Sequence, residues 1–151
     1  MRALIFLATT LVMALASPAR VAGAETYGTG VSVSEATPIG RVLERPRDFE
    51  GQTLKVEGVV TAVCTAMGCW MALAPDGAPQ AQPATLLIKV DDGVIVFPVS
   101  AKGRRASAQG VLQRIGGDAH DREAADEHAK TEGRSAEAGA WQLKATGAVV
   151  Y

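Results

Sequence analysis

Between Thr53 and Val63 the chain alternates: Leu54, Val56, Val60 and Ala62 share one parity, and Lys55, Glu57 and Thr61 the other. A period of two is the pattern of a half-buried strand. Further strands are predicted over Cys69 to Ala74, Thr85 to Val90, Val94 to Val99, Arg104 to Leu112 and Trp141 to Tyr151. Asp91-Asp92-Gly93 joins the third and fourth of these apolar runs with a strong hairpin signal. Helical spacing occurs twice. Ile39, Val42 and Leu43 fall on one face of a short helix that Thr37 would cap and Pro38 would begin, and Pro46 ends it. From Asp118, a candidate cap, to about Glu132 the chain is rich in Ala, Asp and Glu, which predicts a solvated surface helix.

Three predicted strands contain a glycine in an apolar setting: Gly58, Gly110 and Gly147. A strand glycine costs about 0.5 to 1 kcal/mol relative to alanine, so its recurrence points to sharply bent strands. Bent strands close barrels, although glycines at the bulges of a sandwich would give the same pattern. The fold expected is mainly β: a small barrel of five to six strands, with a short N-terminal helix and one helix before the last strand.

The first residues have a different character. Met1-Arg2 is a short basic start, Ala3 to Ala16 is almost purely apolar, and Ala22-Gly23-Ala24 offers small residues to a signal peptidase. The apolar run is shorter than the roughly 20 residues a spanning helix needs. Residues 1–24 are therefore read as a signal peptide cleaved near Ala24, 25–36 as a flexible arm rich in Gly, Ser and Thr, and 37–151 as the barrel domain. The product is expected to be periplasmic or secreted, with no transmembrane segment. Removing 24 of 151 residues leaves 127 and, with Arg2 and Arg20 gone, moves the net charge from −1 to −3. A mildly acidic domain from a chain with 5% aromatic residues lacks the basic field and stacking surface that nucleic acid requires. Lys102, Arg104 and Arg105, the one basic cluster, read as a solvated strand start. No G-x-S-x-G, H-E-x-x-H or glycine-rich phosphate loop occurs, so hydrolase chemistry has no motif to rest on.

Chemistry-bearing residues gather in one place. Cys64-Thr65-Ala66-Met67-Gly68-Cys69-Trp70-Met71 holds both cysteines, one of two tryptophans and two of four methionines. If Thr65 to Gly68 forms a hairpin loop, with Gly68 at a position of positive φ, Cys64 and Cys69 oppose each other across it. Opposed α-carbons lie roughly 4.5 to 5.5 Å apart, within reach of a disulfide. Three readings follow: a structural disulfide, a redox-active thiol pair, or a soft-metal site. For the last, Met71 two positions beyond Cys69 and Met67 in the turn would add thioethers to two thiolates, a set that favours Cu(I). Gly68 and Trp70 would support the hairpin by conformation and packing. C-x4-C does not match the C-x-x-C of thioredoxin-type enzymes. The function expected first is that of an exported binding or interaction module without catalysis of its own, with Cu(I) binding at Cys64, Cys69, Met71 and Met67 as its sharpest form and a thiol–disulfide redox protein or a structural disulfide as the alternatives; its partner would be a small ligand, a metal or another periplasmic protein.

Gly51-Gln52-Thr53-Leu54-Lys55-Val56-Glu57-Gly58-Val59-Val60, then Val63-Cys64 and Gly68-Cys69-Trp70-Met71, resemble the DUF4920 family. Val96-Phe97-Pro98-Val99, an acidic helical insert and Ala145-Thr146-Gly147 extend the resemblance over about Thr37 to Tyr151. It implies an exported bacterial protein with an OB-fold-like barrel, and it brings no known reaction. His120 and His128, about 80° apart on the predicted helix, read as surface residues among its carboxylates, with one of them joining the cysteines as the less favoured reading. Trp141 and Tyr151 read as packing residues of the last strand.

Overall fold

The computed structural model describes residues 23–79, 84–116, 119–132 and 141–151. In chain order the elements are β1 (Glu25–Gly28), α1 (Ile39–Glu44), a 3-10 turn (Pro46–Phe49), β2 (Thr53–Val63), β3 (Trp70–Ala74), β4 (Leu86–Lys89), a second 3-10 turn (Val99–Ala101), β5 (Arg105–Arg114), α2 (Ala119–Glu132) and β6 (Trp141–Val150). Strands β2 to β6 close on themselves in the order β6-β4-β3-β2-β5, with β5 returning to pair β6, and β1 adds a sixth strand against β6. The β4–β6 pairing is parallel and the others are antiparallel. This is a five-stranded, OB-like barrel. Its interior holds Leu54, Val56, Val60 and Val63 of β2, Met71 and Leu73 of β3, Ile88 of β4, Leu112 of β5 and Leu143 of β6. α1 plugs one side with Ile39 and Val42.

The interior glycines mark places where neighbouring backbones come too close for a side chain. A Cβ on Gly58 would run into the carbonyl oxygen of Ala74, and one on Gly110 into that of Lys144. Gly110 also lies where the β5–β6 register shifts, so the strand bends there as barrel closure requires.

A second irregularity decides which way the cysteine hairpin faces. β2 and β3 pair Val59 with Ala74 and Val60 with Leu73, then slip so that Ala62 meets Ala72 and Val63 meets Met71. Thr61 is the extra residue. The bulge reverses the inside and outside parity of everything after it. Ala62, which the regular alternation assigns to the same face as Leu54 and Val56, therefore joins a second cluster on the outer face of the barrel, with Cys64, Trp70, Ala72, Leu87 and Ala124. All five residues of β3 are buried for this reason: one face meets the barrel interior and the other lies under α2.

Several expectations are corrected. Val94 to Val99 is not a strand. Both edges of β4 are already taken, by β3 and β6, so no hairpin partner can add to it. The chain instead turns at Asp91, whose carbonyl accepts from the Val94 N–H at 3.2 Å, and buries Ile95 and Phe97 while Val94, Val96 and Val99 stay exposed. The segment read as an arm contributes β1, because β4 covers only Gln142 to Lys144 of that edge of β6 and leaves Gly147 to Val150 open. Pro38, not Thr37, stands at the α1 cap position, while the Thr37 N–H donates to the Lys55 carbonyl at 2.7 Å beside a bridge between Ala36 and Lys55. Of the expected signal peptide only Gly23 and Ala24 are described, and Asp118 also lies outside the described residues. Among the described residues no helix is long and apolar enough to cross a membrane.

Candidate functional site

The loop between β2 and β3 is built by two backbone bonds at its base. The Cys64 N–H donates to the Trp70 carbonyl at 3.0 Å, and the Gly68 N–H returns to the Cys64 carbonyl at 3.1 Å. Cys64 thus pairs with Trp70, not with Cys69, which corrects the expected register of the two cysteines. Gly68 has φ +65° and packs so tightly on the following segment that a Cβ would approach the Phe97 carbonyl oxygen to 2.6 Å. The Phe97 N–H donates to the Gly68 carbonyl at 2.9 Å, and the Val90 N–H to that of Cys69 at 3.0 Å. The C-terminal end of the loop is thus fastened at two adjacent residues to the chain that leaves β4.

Inside this frame the sulfurs meet. Both cysteines are free thiols, and the Cys69 Sγ–H donates to the Cys64 Sγ over 3.7 Å. Their environments differ. Cys64 is buried at 4% exposure, and its sulfur accepts from the Met67 N–H at 3.4 Å. Burial opposes ionisation of the Cys64 thiol, but the backbone N–H groups of Met67, Cys69 and Ala66 and the Cys69 thiol outweigh it and hold Cys64 below the ordinary thiol range. Cys69 is half-buried, and burial pushes its thiol up to about 11 against the opposing pull of the Lys89 ammonium, with Cys64 adding to the rise. The two thiols are thus shifted in opposite directions by their surroundings.

A small cavity of about 70 Å³ opens over the pair, lined by Cys64, Met67, Cys69, Lys89, Glu123 and Glu127 among others. Lys89 is the element that the sequence reading missed. It faces outward from β4 opposite Trp70, is only 2% exposed, and donates from Nζ to the Val90 carbonyl at 2.8 Å and to Asp92 Oδ1 at 2.9 Å. A lysine ending the apolar run Leu86-Leu87-Ile88 was the available signal, because a charge there must find partners or water. The two glutamates come from α2, whose inner face is tied down by polar contacts: Trp70 Nε1–H to Glu127 Oε2 at 3.0 Å, Thr85 Oγ1 with His128 Nε2 at 2.9 Å, and Gln142 Nε2–H to Asp121 Oδ2 at 2.8 Å.

The remaining predicted residues are placed as follows. Met67 is exposed at the rim and lines the cavity. Met71 is not brought to the cysteines; it is fully buried in the barrel interior beside Leu73. The parity argument failed because Cys69 sits in the loop, outside the strand that sets Met71's face. Trp70 packs on the outer cluster, edge-on to His128 at 5.7 Å between ring centres. His128 is buried, which corrects the surface reading; the side chain of His120 is not described. Arg104 and Arg105 are ion-paired with Glu25 at 2.9 Å and Asp76 at 2.7 Å. Arg114 stacks over Trp141 at 4.9 Å from its centroid, and Tyr151 is exposed. Among the described residues no group of three or more His, Cys, Asp and Glu is arranged to hold a metal ion.

No family model matches the chain, and no curated protein matches it.

Proposed function

We propose that the chain is an exported OB-like module of the DUF4920 type whose working centre is the Cys64/Cys69 pair, acting as a reversible thiol–disulfide couple. The observation that carries this reading is the contact of two free sulfurs at 3.7 Å in opposite settings. A buried structural pair has no need of one sulfur held by N–H donors while the other is kept protonated. Oxidation removes two electrons and two protons from the pair as the Cys64–Cys69 bond forms; in a glutathione buffer they pass to glutathione disulfide, which leaves as two thiols.

Thiol trapping across a glutathione redox series tests it. The expected result is a pair that exchanges reversibly at a potential above about −300 mV; a bond that stays oxidised below that value is structural. A second reading, Cu(I) held by Cys64 and Cys69, is favoured by Met67 on the rim of the same cavity. Cu(I) competition against a chelator separates the two. Under the metal reading Met67→Ala weakens binding and Met71→Leu does not; under the redox reading both variants compete no differently from the unaltered protein, because two adjacent thiols alone set the affinity.

A further inference from the structure

The dithiol reading leaves open what first oxidises the pair, and the shape of the cavity bears on that. Exchange with a protein disulfide requires the attacking sulfur to meet the target S–S bond in line, and so to be reached by a peptide chain. Cys64, whose sulfur accepts from the Met67 N–H, is 4% exposed and lines the small cavity between the loop and α2. Through so small an opening a compact molecule reaches the sulfur more readily than a peptide chain does. Its wall carries the carboxylates of Asp92, Glu123 and Glu127 beside the Lys89 ammonium, with Asp92 already paired to Lys89 and Glu127 to Trp70. Three carboxylates against one ammonium slow the approach of an anionic oxidant such as glutathione disulfide, without changing the equilibrium it reaches with the pair, and favour a small neutral one.

On these observations, and resting on the dithiol reading, we propose that Cys64 reacts with small neutral hydroperoxides, hydrogen peroxide above all, and that Cys69 resolves the product. The Cys64 thiolate attacks one peroxide oxygen, the O–O bond breaks, and the departing hydroxide takes up the proton that Cys64 released, giving water and a sulfenic acid. The Cys69 thiol then attacks the sulfenyl sulfur, the S–O bond breaks, and a second water leaves as the disulfide forms. Two thiols and one peroxide become one disulfide and two waters. The Met67 N–H on the Cys64 sulfur supports the thiolate and the sulfenate alike, and Cys69 is already in contact for the second step.

Reduced protein, freed of reductant, is mixed with hydrogen peroxide or with the bulkier cumene hydroperoxide, and thiol loss is followed by intact mass. The expected result is loss of two hydrogens, at least ~10-fold faster with hydrogen peroxide than free cysteine shows at the same pH, and at least ~10-fold faster than with cumene hydroperoxide. In Cys69→Ser the oxidation stops as a gain of one oxygen at Cys64 that dimedone traps; Cys64→Ser loses the fast reaction. A rate no better than free cysteine, an equal rate with the bulky peroxide, or dimedone capture on Cys69 overturns the proposal. The two-peroxide comparison on unaltered protein stands even if a serine variant does not fold. If peroxide fails while the pair still equilibrates in glutathione buffer, this assignment falls and the dithiol reading survives; if the pair does not equilibrate either, both fall.

Discussion

The two faces of β3 are one strand apart and chemically unlike. Met71 and Leu73 look into a barrel filled with Val56, Ile88, Leu112 and Leu143, large aliphatic side chains from every wall. Trp70 and Ala72 look outward to Ala62, Cys64, Leu87 and Ala124, where small residues let α2 approach and polar ties hold it. The inner face is held by area removed from water, which is insensitive to small errors of direction. The outer face adds directed bonds around a cavity to a smaller apolar cluster, the kind of region that opens locally before a packed interior does. The difference teaches that the cysteines lie on the sparsely filled face, and that the chain spends its bulk on the other.

The largest expected effect lies inside. Leu73→Ala should cost about 2–5 kcal/mol in urea unfolding, the range for emptying a buried aliphatic site, without changing the ratio of Cys64 to Cys69 alkylation in the folded protein. If that ratio shifts, the two faces are coupled and the contrast is too sharp. Gly68→Ala comes next. It forces a side chain into a left-handed backbone against Phe97, so about 1–3 kcal/mol should be lost, and both thiols should alkylate faster as the loop pulls away from β4's exit. Trp70→Phe removes the bond to Glu127 and should cost about 1–2 kcal/mol. Its signature is regional: amide exchange should quicken in α2 and stay unchanged in β2 and β5.

The smallest effect reports the barrel's open edge. Tyr27 of β1 donates its hydroxyl to Glu25 at 2.6 Å and meets Phe97 edge-on at 5.7 Å. Burial first, and Glu25 second, push its hydroxyl up to about 12. A raised value means the folded state prefers the neutral phenol. The stability it contributes is whole below the ordinary pKa of 10.0 and is lost as pH climbs from there through about 12. Ultraviolet titration of wild type and Tyr27→Phe should show that late tyrosinate step disappear in the variant, together with the alkaline loss of stability that accompanies it.

The strands were legible where period two holds over many residues: Thr53 to Val63 is β2 residue for residue, and the barrel and the helix before the last strand are as the pattern predicts. What failed did so for reasons outside local pattern. Val94 to Val99 has the composition of a strand, yet sheet edges are a property of the whole fold and none was left for it. Glu25 to Gly28 has the composition of a loop and became a strand because an edge was left open. At the site, clustering alone found Cys64, Cys69 and Met67. Lys89 and Glu127 reach it from elements distant in sequence, and the facing of Met71 depends on where the strand starts.

The extra residue at Thr61 gives β2 something like a reading frame. Upstream of it, substitutions can drift along the wall so long as parity is kept. Deletion of Thr61 itself would remove the bulge and leave a regular strand, Val60 inward, Ala62 outward, Val63 inward and Cys64 still outward, whereas deletion of one more residue before Cys64 would turn the sulfur toward the hydrocarbon interior, away from Lys89 and α2. The facing of Cys64 therefore depends on the count from Val60 and the bulge taken together, and a change in one that the other does not match would part the cysteine from its outer-face neighbours while leaving the barrel wall in place.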